Sequence, residues 1–178
     1  MKGEMKSETI NLSGHLTSSS VAALGHSSEH DGSRLSPHFT LSELCKTSVR
    51  MENVPGVAQV ENLRRVCRWL ERLRRRWNDL YGEGDEPIVI NSGFRSPAVN
   101  KAVGGAPTSN HLTGCAVDIR VAGLEQLLRY AVILLDISDE SGEDFDELLL
   151  ERKGAVMWLH FAVRPSGNRR RVRLIARI

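Results

Sequence analysis

An apolar residue recurs at every third or fourth position from Val57 to Leu80, through Val60, Leu63, Cys67, Leu70, Leu73 and Trp77. At about 3.6 residues per turn this spacing stacks the series on one side of a helix, and a helix with such a face has to bury it. The turn signal Asn53-Val54-Pro55-Gly56 precedes the series and Gly82 closes it, so the longest helix of the chain is expected between them. Its opposite side carries Arg64, Arg65, Arg68, Arg72, Arg75 and Arg76. Such a run reads first as a solvated face and second as a surface that a polyanion could bind.

Other elements follow from local pattern. In Pro37-His38-Phe39-Thr40-Leu41-Ser42-Glu43-Leu44, Thr40 and Glu43 have the spacing of a capping box, and Phe39 and Leu44 that of a hydrophobic staple. A short helix is expected there, to about Lys46. Ile88-Val89-Ile90 predicts a strand that enters the Gly-, Ser- and Pro-dense turn Asn91 to Pro97. A loop with Gly104, Gly105 and Pro107 then leads to Ser109-Asn110-His111. Cys115 to Val121 alternates as a strand, with Ala116, Asp118 and Arg120 on one face and Cys115, Val117, Ile119 and Val121 on the core face. Leu124 to Leu135 predicts a helix, Ser138 to Asp144 a polar loop, and Phe145 to Glu151, Val156 to Val163 and Arg169 to Ile178 three strands. Helices mixed with mostly adjacent strands indicate an α+β domain, an antiparallel sheet flanked by helices.

The 178 residues suffice for one compact domain and a tail. Met1 to Ser36 is rich in Ser, Gly, His and acidic residues and has little to bury, which predicts a disordered leader over 1–36 and a folded domain over 37–178. His15, His26 and His30 lie irregularly in that leader and read as solvated side chains, not as a metal tract. With 24 Lys and Arg against 22 Asp and Glu, the net charge of +2 identifies no nucleic-acid partner. No apolar run approaches the ~18–20 residues that span a bilayer, and Met1 to Gly25 lacks the apolar centre of a secretory signal. The chain is therefore expected to be made in the cytoplasm without a signal peptide and without membrane insertion. Cys45, Cys67 and Cys115 are odd in number and have no C-x-x-C spacing, so buried thiols are expected in place of a disulfide framework.

The chemistry concentrates late in the chain. Met157, Leu159, Phe161 and Val163 alternate with Val156, Trp158, His160 and Ala162, which sets His160 and Trp158 opposite a strongly apolar face. Should His160 and Asp118 stand on neighbouring strands with one orientation, and His111 in the loop before Asp118, three metal ligands can converge. Two imidazoles and a carboxylate are a common catalytic zinc set, with the fourth tetrahedral position left to water.

Ser109-x-His111-x-x-Gly114-x-Ala116-x-Asp118, followed by Trp158-x-His160, resembles the zinc signature of the D-Ala-D-Ala carboxypeptidase and murein endopeptidase family, which shares its fold with the hedgehog signalling domain. Phe39 to Leu44, Asn53-x-Pro55, Glu61-Asn62-Leu63, Ser92-Gly93-Phe94-Arg95-Ser96-Pro97-x-x-Asn100 and Val103-Gly104-Gly105-Ala106 resemble, in order, blocks of the smaller, single-domain branch of these peptidases. The similarity covers about Pro37 to Val163.

The resemblance implies that His111, Asp118 and His160 bind zinc and that the substrate is a peptide stem of bacterial peptidoglycan, cut at an amide bond. Arg95 would hold the substrate carbonyl or carboxylate, a task suited to its fork of donors. Ser109 would supply a hydrogen bond, Gly93 a tight turn and Gly114 a close backbone approach. Trp158 is expected to contact substrate, and Cys115 points away from Asp118. Better-known members carry an acidic general base three positions before the last histidine, where this chain has Met157. Glu151, at the end of its strand, matches a Glu of the smaller branch and is the expected base. Asp146 and Glu147 are poorer candidates, at the far end of that strand. The expected agent is a monomeric zinc peptidase without a nucleic-acid partner, acting at the wall after release from the cell, as a phage or prophage endolysin does. The alternative is a non-catalytic zinc domain that binds wall peptides or a protein partner.

Overall fold

In the computed structural model, which describes residues 34–177, the apolar series forms a helix as its period requires: α2 runs Val57–Leu80. Burial begins at Leu63 and ends at Trp77, so Val57 and Leu80, at 84% and 57% exposure, lie in turns beyond the core. Val66 and Trp69 sit one step around the helix from the predicted series and are buried too, so the packed face is broader than the strict repeat.

That face covers a five-stranded sheet in the order β1-β2-β4-β3-β5, built from β1 (Ile90–Ser92), β2 (Ala116–Arg120), β3 (Glu147–Lys153), β4 (Val156–Ala162) and β5 (Arg171–Arg177). The first three neighbouring pairs are antiparallel, as expected. The last is not: β5 runs parallel to β3. Both edges of β4 are already occupied by β2 and β3, so the chain leaving β4 can join only at an outer edge of the sheet, and it joins outside β3. Having reversed direction after β4, it arrives parallel to β3.

On the helix side, Val117, Ile119, Leu148, Leu159 and Phe161 are fully buried. Phe161 and Phe145 meet the Trp69 ring of α2 at centroid distances of 5.3 and 6.3 Å. The helix α4 (Leu124–Ser141) packs beside α2 on the same side. It is longer than its apolar pattern to Leu135 suggested, because Ile137 and Ser138 continue the buried face. Of the polar residues expected to form a loop, Asp139, Glu140 and Ser141 are exposed in its last turn, and Gly142, at φ 67°, closes it.

Shorter elements differ in detail. Thr40 Oγ1 accepts from Glu43 N at 3.2 Å and starts α1 (Leu41–Leu44), as the capping pattern predicts. The turn after β1 holds an unexpected helix, α3 (Pro97–Ala102), which Ser96 caps and Pro97 opens. A 3-10 turn, Asn110–Thr113, lies where a loop was expected. Ladder pairing in β1 starts at Ile90 instead of Ile88, in β3 at Glu147 instead of Phe145, and in β5 at Arg171. Leu35 is buried and Ser36 Oγ donates to Glu71 at 2.6 Å, so these residues, expected in the leader, belong to the folded part. Residues 1–33 of the leader, His15, His26 and His30 included, lie outside the described residues.

Cys45, Cys67 and Cys115 are free thiols, and burial pushes Cys67 up to about 12 and Cys45 up to about 11. No helix among the described residues is long and apolar enough to cross a membrane.

Two glycines make the approach of loop to helix possible. At Gly93 a Cβ would stand 2.3 Å from the Leu44 carbonyl oxygen, and Phe94 N donates to that same oxygen. Close contact, not a tight turn, is what requires glycine there. Gly114 has φ 71°, and a Cβ would lie 2.6 Å from the backbone oxygen of Gln59 in α2. Gly114→Ala combines left-handed strain with this collision and is expected to destabilise the protein by roughly 2 kcal/mol or more, read as a lower melting temperature by circular dichroism.

Candidate metal centre

Strand pairing assembles the site. Asp118 of β2 is directly opposite His160 of β4, and His160 is directly opposite Leu149 of β3. Side chains alternate along strands, so Asp118, His160 and Trp158 share the face away from α2 and α4 with Glu147, Leu149 and Glu151. His111 arrives from the 3-10 turn, whose first backbone N–H groups include His111 N, donating to Ser109 Oγ at 3.3 Å.

Three donor atoms meet. His160 Nδ1 is 2.9 Å from Asp118 Oδ1, and His111 Nε2 is 3.3 Å from both. Their residues are only 3% (His111), 8% (Asp118) and 6% (His160) exposed. His111 Nδ1 lies 2.6 Å from the carbonyl oxygen of Gly93. A carbonyl only accepts, so Nδ1 carries the proton and Nε2 turns its lone pair into the cluster. Arg95 donates to the other Asp118 oxygen, Oδ2, and through Nε to Ser92 Oγ at 2.8 Å. Asp118 thus offers Oδ1 to the histidines while Arg95 fixes its plane.

Charge at the cluster is tightly coupled. Burial alone would raise the Asp118 pKa, yet the two imidazoles beside it hold the carboxyl well below the usual carboxylate range. Burial alone would lower that of His160, yet hydrogen bonding to Asp118 and Glu147 pushes it up to about 9. Two ring nitrogens and a carboxylate oxygen stand about 3 Å apart only with a proton or a metal cation shared among them. All three donors lie within 4.8 Å of one another, so the set fits a divalent metal with an open fourth position.

His111, Asp118 and His160 line a cleft of about 470 Å³ together with Arg95, Ser109, Glu147, Glu151 and Trp158. Every expected site residue is therefore brought to one place. Arg95, expected to face substrate, also spends part of its guanidinium on Asp118. Met157 alternates onto the helix side and packs against the core, so in this register no acid at that position could reach the cleft.

Glu147 is not remote, as its strand position suggested. It flanks Leu149 on the cleft face opposite to Glu151, and its Oε2 is 3.7 Å from His160 Nε2. Asn110, Arg169 and Arg171 donate to it at 3.1, 3.0 and 3.2 Å. Asp146, fully buried, accepts from Asn110 at 2.8 Å and from Arg169 at 2.7 and 2.6 Å. Sequence reasoning missed this support because nothing in the local pattern of the predicted strand Arg169 to Ile178 names the partners of its arginines. In the fold Arg169 and Arg171 turn to Asp146 and Glu147, and Arg170 pairs with Asp139.

Burial opposes ionisation of Asp146, but hydrogen bonds from Arg169 and Asn110 outweigh it and lower its pKa. A depressed carboxyl stabilises above its ordinary value and loses that contribution as pH falls through the folded one. Asp146→Asn is thus expected to cost roughly 2 kcal/mol at pH 7, with a difference from wild type that shrinks below about pH 4. Urea unfolding across that range measures it.

A family model described as Peptidase M15 matches residues 37–134. The zinc D-Ala-D-Ala carboxypeptidase of Streptomyces albus G is 53% identical over 36 residues, which is 20% of this chain and 14% of that protein's length. The family match takes in Arg95, His111 and Asp118 and stops short of His160. It is the β2–β4 register that sets His160 beside Asp118.

Proposed function

Because the chain belongs to the peptidase M15 family, we propose that it is a zinc-dependent peptidase that hydrolyses an amide bond in the peptide stems of bacterial peptidoglycan. The observation that carries this reading is the convergence of His111, Asp118 and His160 at the wall of an open cleft. The similarity to a zinc D-Ala-D-Ala carboxypeptidase supports zinc as the metal and a stem peptide as the substrate. When bound, zinc would polarise the scissile carbonyl and bring the pKa of its water toward ~7.

The chain's own residues have separable tasks. His111, His160 and Asp118 would hold the metal, each fixed from behind by Gly93, the strand pairing and Arg95 respectively. Glu151 takes a proton from the attacking water and returns it to the leaving amine. It is 6% exposed, lines the ligands' cleft and stands one step along the same strand face from Leu149, the residue opposite His160. Glu147, at the matching step on the other side, is held by Asn110, Arg169 and Arg171 and serves the framework. Arg95 receives the substrate carbonyl or carboxylate, Ser109 adds a hydrogen bond, and Trp158 forms the wall against which the peptide lies. The same proposal takes the folded part of the chain as one domain of hedgehog-like arrangement, acting as a monomer. It includes a role in lysis, at the wall after release from the cell.

A second reading, a zinc domain that binds wall peptides without cutting them, draws on Met157, which leaves β4 without an acid. Mass spectrometry of purified muropeptides separates the two. The peptidase yields one new pair of amine and carboxyl ends, lost with chelator and restored by zinc. Glu151→Gln is expected to lower kcat by about 10²–10⁴ with zinc retained. Intact muropeptides in the presence of zinc-loaded wild-type protein would favour the binder.

A further inference from the structure

A second concavity, of about 420 Å³, opens where the middle of α2 meets the segment that follows β4, and it shares no lining residue with the metal cleft. Arg65, Arg68 and Arg72 line it from α2 and Arg164 from the segment, against Glu143 and Asp144. Both acids are already paired, Glu143 with Arg72 at 2.6 Å and Asp144 with Arg170 at 3.6 Å.

The groove also holds donors without acceptors. Arg72 Nε and Arg164 Nε are buried and have no hydrogen-bond partner. Arg164 Nε lies 3.2 Å from Asp146 Oδ1 but is not aligned to donate to it. Among the described residues these are the only buried side-chain donors left unpaired, and both belong to arginines that line this groove. Unpaired buried donors call for an acceptor, and guanidinium forks match the oxygens of a phosphate group. Trp69, also in the wall, is only 3% exposed and is covered by the Arg72 guanidinium at 4.4 Å from its ring centre. No aromatic face is left on which a nucleic-acid base could stack.

We propose that this groove binds a phosphate-class oxyanion, carried as the phosphodiester of an anionic cell-wall polymer; the choice of polymer rests on the peptidase reading. A polymer held there leaves the metal cleft open to a peptide stem.

Calorimetric titration of the full chain with purified poly(glycerol phosphate) tests this, with inorganic phosphate, single-stranded DNA and anionic phospholipid vesicles as separate arms. Binding to the polymer should weaken as salt rises. Arg68 is exposed, so Arg68→Glu should fold normally by circular dichroism, lose at least tenfold in affinity, and cleave a small soluble muropeptide at the wild-type rate. Arg68→Glu with Arg72→Gln should bind more weakly still. Equal affinity of wild type and Arg68→Glu overturns the proposal, as does binding of inorganic phosphate without the polymer, or tighter binding of DNA or vesicles than of the polymer. The polymer carries no peptide stem, so failed hydrolysis with retained binding sinks only the peptidase reading, and the converse sinks only this one.

Discussion

One carboxylate oxygen organises the cleft. Asp118 Oδ1 is the point to which both imidazoles turn, and Oδ2 is tied to Arg95. A buried carboxylate is costly unless it is paired, and here every contact that compensates it also aims a donor at the same place. The strand pairing makes this possible, because Asp118 and His160 are in direct register across β2 and β4. A slip of one residue would turn Ile119 toward the cleft and Asp118 into the apolar layer under α2. The hydrophobic face of the sheet therefore protects the chemistry of the other face: Val117, Ile119, Leu159 and Phe161 cannot leave the core without loss of both.

Around that centre, support comes from distant parts of the chain. The carbonyl of Gly93 fixes the proton of His111, and it can do so only because the backbone of Gly93 presses against that of Leu44. Asn110, the neighbour of His111, is held by Asp146 and Glu147, which are in turn held by Arg169 and, for Glu147, Arg171. The last strand thus reaches the turn that carries His111 through charge-assisted hydrogen bonds, which are among the stronger polar contacts available to a protein. Its parallel pairing with β3 is what brings Arg171 beside Glu147.

The same residue type has three fates here. Arg95 holds Asp118, Arg169 and Arg171 brace the carboxylates behind the cleft, and Arg68 stays exposed on α2. Arg72 lies between these extremes, stacked on Trp69 and paired with Glu143. Composition and net charge are silent on such differences, since they count charges and not the groups that each charge meets.

The long helix, the core face of β2 and β4, and the metal-ligand candidates were legible in the sequence, because each is written in local period or fixed spacing. Apolar residues at steps of three or four can satisfy only a helix, and alternation around Asp118 and His160 can satisfy only a strand. Other features were not legible. The extension of α4 to Ser141 was hidden by polar residues that face solvent, and the place of Glu147 in the cleft by its distance along the strand from Glu151. The parallel β5 and the inward turn of its arginines depend on which sheet edge was still open, a property of no local segment. The sequence by itself determined which side chains could be ligands and which faces had to be buried, because those follow from residue chemistry and backbone period. Only the tertiary structure decided that His111, Asp118 and His160 meet within 4.8 Å, because strand order and register join residues that the chain keeps far apart.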